Sequence, residues 1–453
     1  MRLAAGVDLG TTSIEVLVVD LDNGKTVYSA DLPNRRIRAE ERDSYLQDPG
    51  GIESAVRELL AGAPKGIASL SVTGQVHGIL YTDGLGNAVS PLYTWLDRRG
   101  SVAVDGEVPS RRLEERTGCR LPDGFGLLTH YAQSLREDVP RNAAAIVGIA
   151  EYITGRLTGS PLTVTDASCL APFGGWDVAN RAHLSGVLDE VFSLRPVAFL
   201  SEAPAFSVAG ETEQGIPVSI PTGDNQAGFL GSVAEPDREC LISMGTSGQV
   251  SVFSRESARM GSLEVRPFFD IGYLHVGAIL CAGKAWETLQ NFFCEVLTAF
   301  GRTPTRGEVY QWMVAVAQAA AGGSSHPKVV PTFSGTRGDP ETTGSITGVT
   351  LDNFTPGTLA WSTAGGIVGE LYTYVAPWEQ KLAHLKRIVA TGNLVNRNPL
   401  FVQLLEAVFS REVVVRGNSN PAALGTALYG AVAAGILSRD ELVSRGIQKG
   451  GAR

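Results

Sequence analysis

The sequence predicts an α/β protein of two related lobes with a cleft between them. Three observations carry that prediction. A unit of strand, Gly-Thr turn and strand at the amino terminus recurs about half a chain later, which suggests two lobes of one design. Apolar residues switch between strand and helix periods along the chain. Finally, 453 residues amount to about three domains of the usual size, or two large ones.

The first unit runs Leu3 to Asp8, then Leu9-Gly10-Thr11-Thr12-Ser13, then Ile14 to Asp20, and its apolar runs read as a β-hairpin. Ile52, Val56, Leu59 and Leu60 follow at helical spacing, and Ile67 to Val72 reads as a strand, so the first lobe is α/β. Gly215 to Pro221 predicts a short strand that meets a helix start at Asp224. A lobe boundary is expected near Ala234-Glu235-Pro236-Asp237-Arg238, dividing the chain into 1–234 and 235–453. The second unit is Cys240 to Met244, Gly245-Thr246-Ser247-Gly248 and Gln249 to Phe253. Beyond it, Trp286 to Phe300, Val309 to Ala321, Thr363 to Ala376 and Leu400 to Phe409 carry helical periodicity. Ala422 to Gly435 is dense in Ala and Gly, which suits either a tight core helix or a wall beside a nucleotide.

Composition removes several functions. Lys and Arg total 38 against 47 Asp and Glu, a net charge of -9, the wrong sign for holding nucleic acid by its phosphates. The 5 cysteines (Cys119, Cys169, Cys240, Cys281, Cys294) are scattered, form no C-x-x-C pair and have no nearby histidine set, which predicts reduced thiols and a cytoplasmic protein without structural zinc. Apolar runs stop short of the roughly 20 residues of a spanning helix, and the amino terminus turns polar at Asp8 too soon for a signal peptide, so neither a membrane nor an export role is expected. A homodimer is compatible with the sequence.

The candidate chemistry begins with the two turns. Gly10, Thr11 and Thr12 in the first, and Gly245, Thr246 and Ser247 in the second, offer backbone N–H groups and hydroxyls to phosphate oxygens. A single such turn can equally be only a hairpin; two in corresponding places, the first preceded by Asp8, point to a cleft gripping a nucleotide, with Asp8 holding Mg²⁺ directly or through water. Asp224 is either an N-cap or a carboxylate aimed into the cleft to accept a hydroxyl proton during phosphoryl transfer. Asn225 and Gln226 beside it can hydrogen-bond a polyol. Gln75 and His77 at a strand end, with Trp95, Asp97 and Arg99 further on, supply the donors, acceptors and stacking surface of a sugar site. Taken singly, His77 reads as a structural histidine and Asp97 with Arg99 as a surface ion pair.

Together these segments resemble the FGGY carbohydrate kinase family, with its two ribonuclease-H-like, actin-like ATPase lobes, over nearly the whole chain and in the family's order. Val7-Asp8-Leu9-Gly10-Thr11-Thr12-Ser13 is similar to its first phosphate motif, Gly74-Gln75-Val76-His77-Gly78 to a sugar motif, and Trp95-Leu96-Asp97-Arg98-Arg99 to a Trp-x-Asp-x-Arg element. Gly223-Asp224-Asn225-Gln226-Ala227 resembles the catalytic motif, Ser243-Met244-Gly245-Thr246-Ser247 the second phosphate motif, and Gly392 to Asn398 the adenosine motif. Ala282-Gly283-Lys284-Ala285-Trp286 is similar to a turn beside the nucleotide, and Ala422 to Ala427 to the closing helix. The resemblance implies ATP and Mg²⁺, Asp224 as general base, Asp8 as a magnesium-side and substrate-side acid, Gly283 beside the nucleotide, and Gly392, Asn396 and Asn398 bordering adenine.

The expected reaction is therefore transfer of a phosphoryl group from ATP to a terminal hydroxyl of a ketose. Gly392 to Gln403 and the Pro331 to Pro340 segment are most similar to family members acting on sedoheptulose, whereas the His77 motif is shared with those acting on xylulose. The alternative from another class is a non-catalytic, actin-like ATP-binding sugar sensor. One departure stands out: Glu15 occupies the place where the family carries a basic residue. Its alternation with Ser13 turns it either into the cleft, where Mg²⁺ or a cation such as Arg337 would have to stand between it and phosphate, or out to solvent. The adenosine motif opens with Ala390-Thr391-Gly392, bulkier than the family's small residues.

Overall fold

The computed structural model describes residues 2–37, 44–336, 339, 341–417 and 420–444. Both predicted hairpins form, and each is the heart of its own sheet. In the first sheet, β1 (Leu3–Leu9) pairs antiparallel with β2 (Ser13–Asp20), which pairs antiparallel with β3 (Lys25–Pro33). On its other side β1 pairs parallel with β4 (Ile67–Gly74). Beyond β4 lie β5 (Val208–Glu211), β6 (Pro217–Ser219) and the short β7 (Thr222–Gly223), the last parallel to β4 and leading directly into the helix that begins at Asp224. Helix α1 (Pro49–Ala61) is the one expected from Ile52, Val56 and Leu59, which are buried along one stripe.

The second sheet repeats this plan. Strand β8 (Glu239–Met244) pairs antiparallel with β9 (Gly248–Ser254), next to β11 (Gly272–Ile279) and then β10 (Glu264–Phe268). On its other side β8 runs parallel to β12 (Arg387–Thr391), with β13 (Glu412–Val415) at the edge. Helices α3 (Gly283–Ala299), α4 (Arg306–Ala320), α5 (Pro356–Val375), α6 (Asn393–Arg397) and α7 (Pro399–Phe409) complete this lobe. No helix among the described residues is long and apolar enough to cross a membrane. All 5 cysteines are free thiols.

Central strands of such sheets read as nearly unbroken apolar runs because both faces are covered. In β1, Leu3, Ala5, Val7 and Leu9 pack into the first lobe's core, while Ala4 faces a core shared by both lobes. That shared core joins Leu17 and Val19 of β2 to Phe229, Leu241, Phe253, Phe268 and the last long helix, α8 (Pro421–Ala433). Of the two readings of the Ala- and Gly-rich segment, the structure shows the tight core helix. α8 lies on the first sheet although it follows the second lobe in the chain. A Cβ on Gly6 would come 2.0 Å from the Ala423 carbonyl oxygen, so α8 approaches β1 as only glycine permits. Helix α2 (Asp224–Ser232) crosses α8 just as closely. A Cβ on Gly231 would lie 2.0 Å from the Pro421 oxygen, and one on Gly425 1.9 Å from the Ala227 oxygen. The two helices thus exchange glycines across an approximate twofold relation between the lobes.

Candidate functional site

The carboxyl ends of β1, β4 and β7 lie side by side, with Asp8 opposite Thr73 and Thr73 opposite Thr222 in the parallel registers. Open α/β sheets bind ligands at such strand ends. Asp8 lies one residue before the end of β1, and Asp224 is the first residue of α2, two positions beyond Thr222. Gly223, not Asp224, is the N-cap, and the Asp224 carboxylate accepts the adjacent Asn225 N–H at 2.7 Å. The N-cap reading of Asp224 therefore fails. Both carboxyl groups are half-buried. Loss of hydration raises Asp8 to about 6, with Asp224 and Glu15 adding repulsion and an Asn420 hydrogen bond opposing it. Loss of hydration raises Asp224 as well, with Arg266 of β10 as the counteracting charge.

Gln75 sits one residue past β4, its N–H on the Leu9 carbonyl at 3.0 Å. Its side-chain nitrogen donates to Gln47 Oε1 at 2.6 Å, and Gln47 in turn donates to the Thr11 carbonyl at 2.8 Å. The oxygen of the Gln75 side chain is buried and accepts no hydrogen bond among the described residues; the same holds for Asn225 Oδ1. Two orphaned acceptors near two carboxylates are what a polyol would satisfy. His77 has a φ of 78°, left-handed and strained for a residue with a Cβ. Its Nδ1 lies 2.7 Å from the Pro172 carbonyl and its ring packs against Phe125 at 4.4 Å. Trp95 is 43% exposed and donates its indole N–H to Thr11 Oγ1 at 2.9 Å, so its open face borders the first turn. The Gly10 and Thr12 carbonyls of that turn are both tied to Asn34, leaving the Thr12 side chain exposed.

Three expected contacts lie elsewhere. Asp97 is fully buried; both its oxygens are taken by Arg99, at 2.6 and 2.9 Å, and by the Tyr45 N–H, and Arg99 itself lies over the Tyr93 ring. The pair is neither the surface ion pair nor the sugar contact; it is a buried brace behind Trp95. Gln226 is turned away from the strand ends and donates to the Pro267 carbonyl at 2.8 Å, tying α2 to β10. Asn398 is fully buried and its side-chain oxygen is occupied in capping α7 through the Leu400 N–H at 3.1 Å.

The second turn gathers the remaining candidates. The Gly245 carbonyl accepts from Gly283 N at 2.9 Å and the Thr246 carbonyl from Lys284 N at 3.1 Å, so α3 starts directly on the turn. A Cβ on Gly283 would meet the Gly245 oxygen at 2.5 Å, and one on Gly392, at φ 99°, would meet the Met244 oxygen at 2.4 Å. Thr246 and Ser247 are exposed, as is Asn396 one turn along α6. Between the lobes, Asn225 Nδ2 donates to Gln249 Oε1 of β9 at 3.0 Å. Sequence reasoning passed over Gln47, Arg266 and Asn420. Only Asn420 carried a readable signal, an Asn-Pro pair opening a helix.

Glu15 pairs with Asp8 across the hairpin register and does not turn to solvent. Ser29 donates to it at 2.8 Å and Asn420 at 3.0 Å. Arg337, the cation expected between it and phosphate, and part of the Pro331 to Pro340 segment lie outside the described residues. Magnesium is held by one or two carboxylates with phosphate oxygens and water. Asp8, with one oxygen on Asn420, fits that donor set, and among the described residues no cluster of three or more His, Cys, Asp or Glu forms an all-protein cage.

Two sheets of one plan, joined through crossed helices and facing each other at their strand ends, define an actin-like, two-lobed ATPase fold. The family model described as the FGGY family of carbohydrate kinases, N-terminal domain, matches residues 3–231, and the C-terminal domain model matches 240–434. The chain belongs to this family and is a carbohydrate kinase, a phosphotransferase. It is 25% identical to a sedoheptulokinase of Mus musculus over 93% of this chain and 96% of that one. It is 31% identical to a xylulose kinase of Streptomyces coelicolor over 56% of this chain and 54% of that one. A gluconate kinase structure from Lactobacillus acidophilus superposes with a TM-score of 0.83 at 20% identity, covering 99% of this chain and 92% of that one, and so shares the fold.

Proposed function

We propose that the protein phosphorylates a terminal hydroxyl of a ketose with ATP, sedoheptulose being the preferred acceptor. The observation that carries this reading is the grouping of Asp8 and Asp224 at adjoining strand ends beside the unfilled acceptors Gln75 Oε1 and Asn225 Oδ1. In this reading Asp224 takes the hydroxyl proton as the acceptor oxygen bonds to the γ-phosphorus, the bond from that phosphorus to the β,γ-bridging oxygen breaks, and ADP leaves. Gln75, His77 and Asn225 orient the open-chain sugar, with Trp95 closing one side. The first turn and Thr246, Ser247, Gly283, Gly392 and Asn396 line the nucleotide. Asp8 would hold Mg²⁺, which when bound neutralises phosphate charge.

Residues 1–234 supply the sugar side and the base, and 235–453 the nucleotide side, with α8 returning to the first sheet. The free thiols suit a cytoplasmic setting. The substrate order rests on similarity along nearly the whole length to the sedoheptulokinase; xylulose stands second because of the 31% identity to a xylulose kinase. A panel of sedoheptulose, xylulose, gluconate and glycerol with MgATP tests the assignment. Sedoheptulose should have the highest kcat/KM and xylulose the next. A higher value for gluconate or glycerol would reject the ketose pocket, and binding of ATP and sugar with no phosphoryl transfer to any acceptor would favour the non-catalytic sensor.

A further inference from the structure

One face of the first hairpin carries Ala4, Gly6 and Asp8 on β1 opposite Val19, Leu17 and Glu15 on β2. α8 lies along this face, so its inner part is apolar or glycine. The two carboxylates stand at the turn end of the hairpin, where α8 begins. There Asn420 holds both acids and the helix start with one side chain. Its Nδ2 donates to Asp8 Oδ2 at 2.8 Å and to Glu15 Oε2 at 3.0 Å, while its Oδ1 caps the helix through Ala423 N at 2.9 Å. The amino end of α8 also places partial positive charge beside both acids. Glu15, where a basic residue is the family's habit, is thus met by an amide and a helix end.

The second lobe offers a partial counterpart, and its chemistry differs. Gln249 pairs with Ser243 on β8 as Glu15 pairs with Asp8 on β1, and Asn225 of α2 donates to Gln249. Neutral Ser and Gln occupy the places of the two acids. An asparagine amide thus meets the second strand of each hairpin, but only in the first lobe does it bridge to the first strand and grip a carboxylate of the candidate centre.

We infer that Asn420 is a positioning residue that sets the orientation of Asp8, and that Glu15 anchors the Asn420 amide. The inference rests on the reading of Asp8 as part of the reacting centre. Its test compares Asn420→Ser, Glu15→Ala, the double variant Glu15→Gln/Asn420→Ser, and Asp8→Asn with the parent full-length chain. The assays are kcat and KM with MgATP and the better of sedoheptulose and xylulose, together with thermal unfolding.

Serine caps a helix about as well as asparagine but is too short to reach both carboxylates. Asn420→Ser should therefore keep the parental Tm and both KM values while kcat falls about 10-fold, the usual weight of a hydrogen bond to a charged group. Glu15→Ala, at a half-buried position of the hairpin, should lower kcat about 3-fold by freeing the amide. In the double variant the glutamine amide introduced at position 15 can reach Asp8 across the hairpin, and kcat should recover about 3-fold relative to Asn420→Ser. Parental kcat in Asn420→Ser beside an inactive Asp8→Asn overturns the clasp alone. A kcat loss matched by a fall in Tm, without recovery in the double variant, overturns it too. If Asn420→Ser does not fold, unchanged or raised kcat in Glu15→Ala rejects the anchor. Parental activity in Asp8→Asn instead removes the underlying reading of Asp8.

Discussion

Two glycines three residues apart on α2 should respond in opposite directions to the same substitution. Helix propensity alone favours alanine over glycine by about 1 kcal/mol at both. At Gly228 nothing lies within 4 Å of an added Cβ, so Gly228→Ala should stabilise by about 0.5–1 kcal/mol. At Gly231 the Cβ would sit 2.0 Å from the Pro421 oxygen and 2.8 Å from Gly425 N, main-chain atoms that cannot rotate aside. Reaching a carbon–oxygen contact of about 3.3 Å requires α2 and α8 to part by more than about 1 Å. Overpacking of this kind costs about 1–3 kcal/mol, and a clash with backbone belongs at the upper end, so a net loss of about 2 kcal/mol is expected for Gly231→Ala. Urea unfolding followed by circular dichroism measures both variants. Because Asn420 directly precedes Pro421, Gly231→Ala should also lower kcat. Parental stability in Gly231→Ala, or a shift of both variants in the same direction, would refute the close crossing.

Asp224→Asn keeps the side chain's shape and removes the proton acceptor; turnover should fall about 100-fold or more while calorimetry shows MgATP binding little changed, and near-normal turnover would reject the base. Asp97→Asn strips Arg99 of its buried counter-charge and should cost about 3–5 kcal/mol of stability, whereas a sugar contact would instead show as a raised ketose KM at parental Tm. Glu370 on α5 has a buried, unpartnered oxygen, and burial raises its carboxyl to about 7. The unfolded chain ionises it from about 4.5, so stability should decline as pH climbs from there towards 7 and level off above; Glu370→Gln should flatten that decline in a pH series of melting curves, and an unchanged slope would show that Glu370 is hydrated.

Both hairpins were legible because β-branched and apolar runs flanking Gly-Thr turns have few alternatives, and the long helices because their apolar stripes are continuous. Burial direction was not legible. Asp97 and Gln226 belong to polar motifs that look outward-facing in sequence, yet one is matched by a buried arginine and the other by a backbone carbonyl about forty residues away. Asn398 resembles a nucleotide contact in sequence, and its position before Pro399 also makes it a cap. Gln47 is a single polar residue between Leu46 and Asp48, and only the folded register reveals that it joins Gln75 to the Thr11 carbonyl. The small residues of α8 announced close packing without saying against what, since a helix of Ala and Gly has no stripe to orient it.

The same smallness has a mechanical side. Helices that mesh through large side chains hold one another's angle, because turning would drive ridges out of grooves. Where α2 passes over α8 at Gly231 and Gly425, main chain touches main chain and no side chain stands between them. α8 is seated on the first sheet, and α2 reaches β9 and β10 of the second through Asn225 and Gln226. A contact of that kind between elements seated on opposite lobes would suit a pivot: a small rotation there would change the gap between the strand ends more than the spacing at the crossing itself.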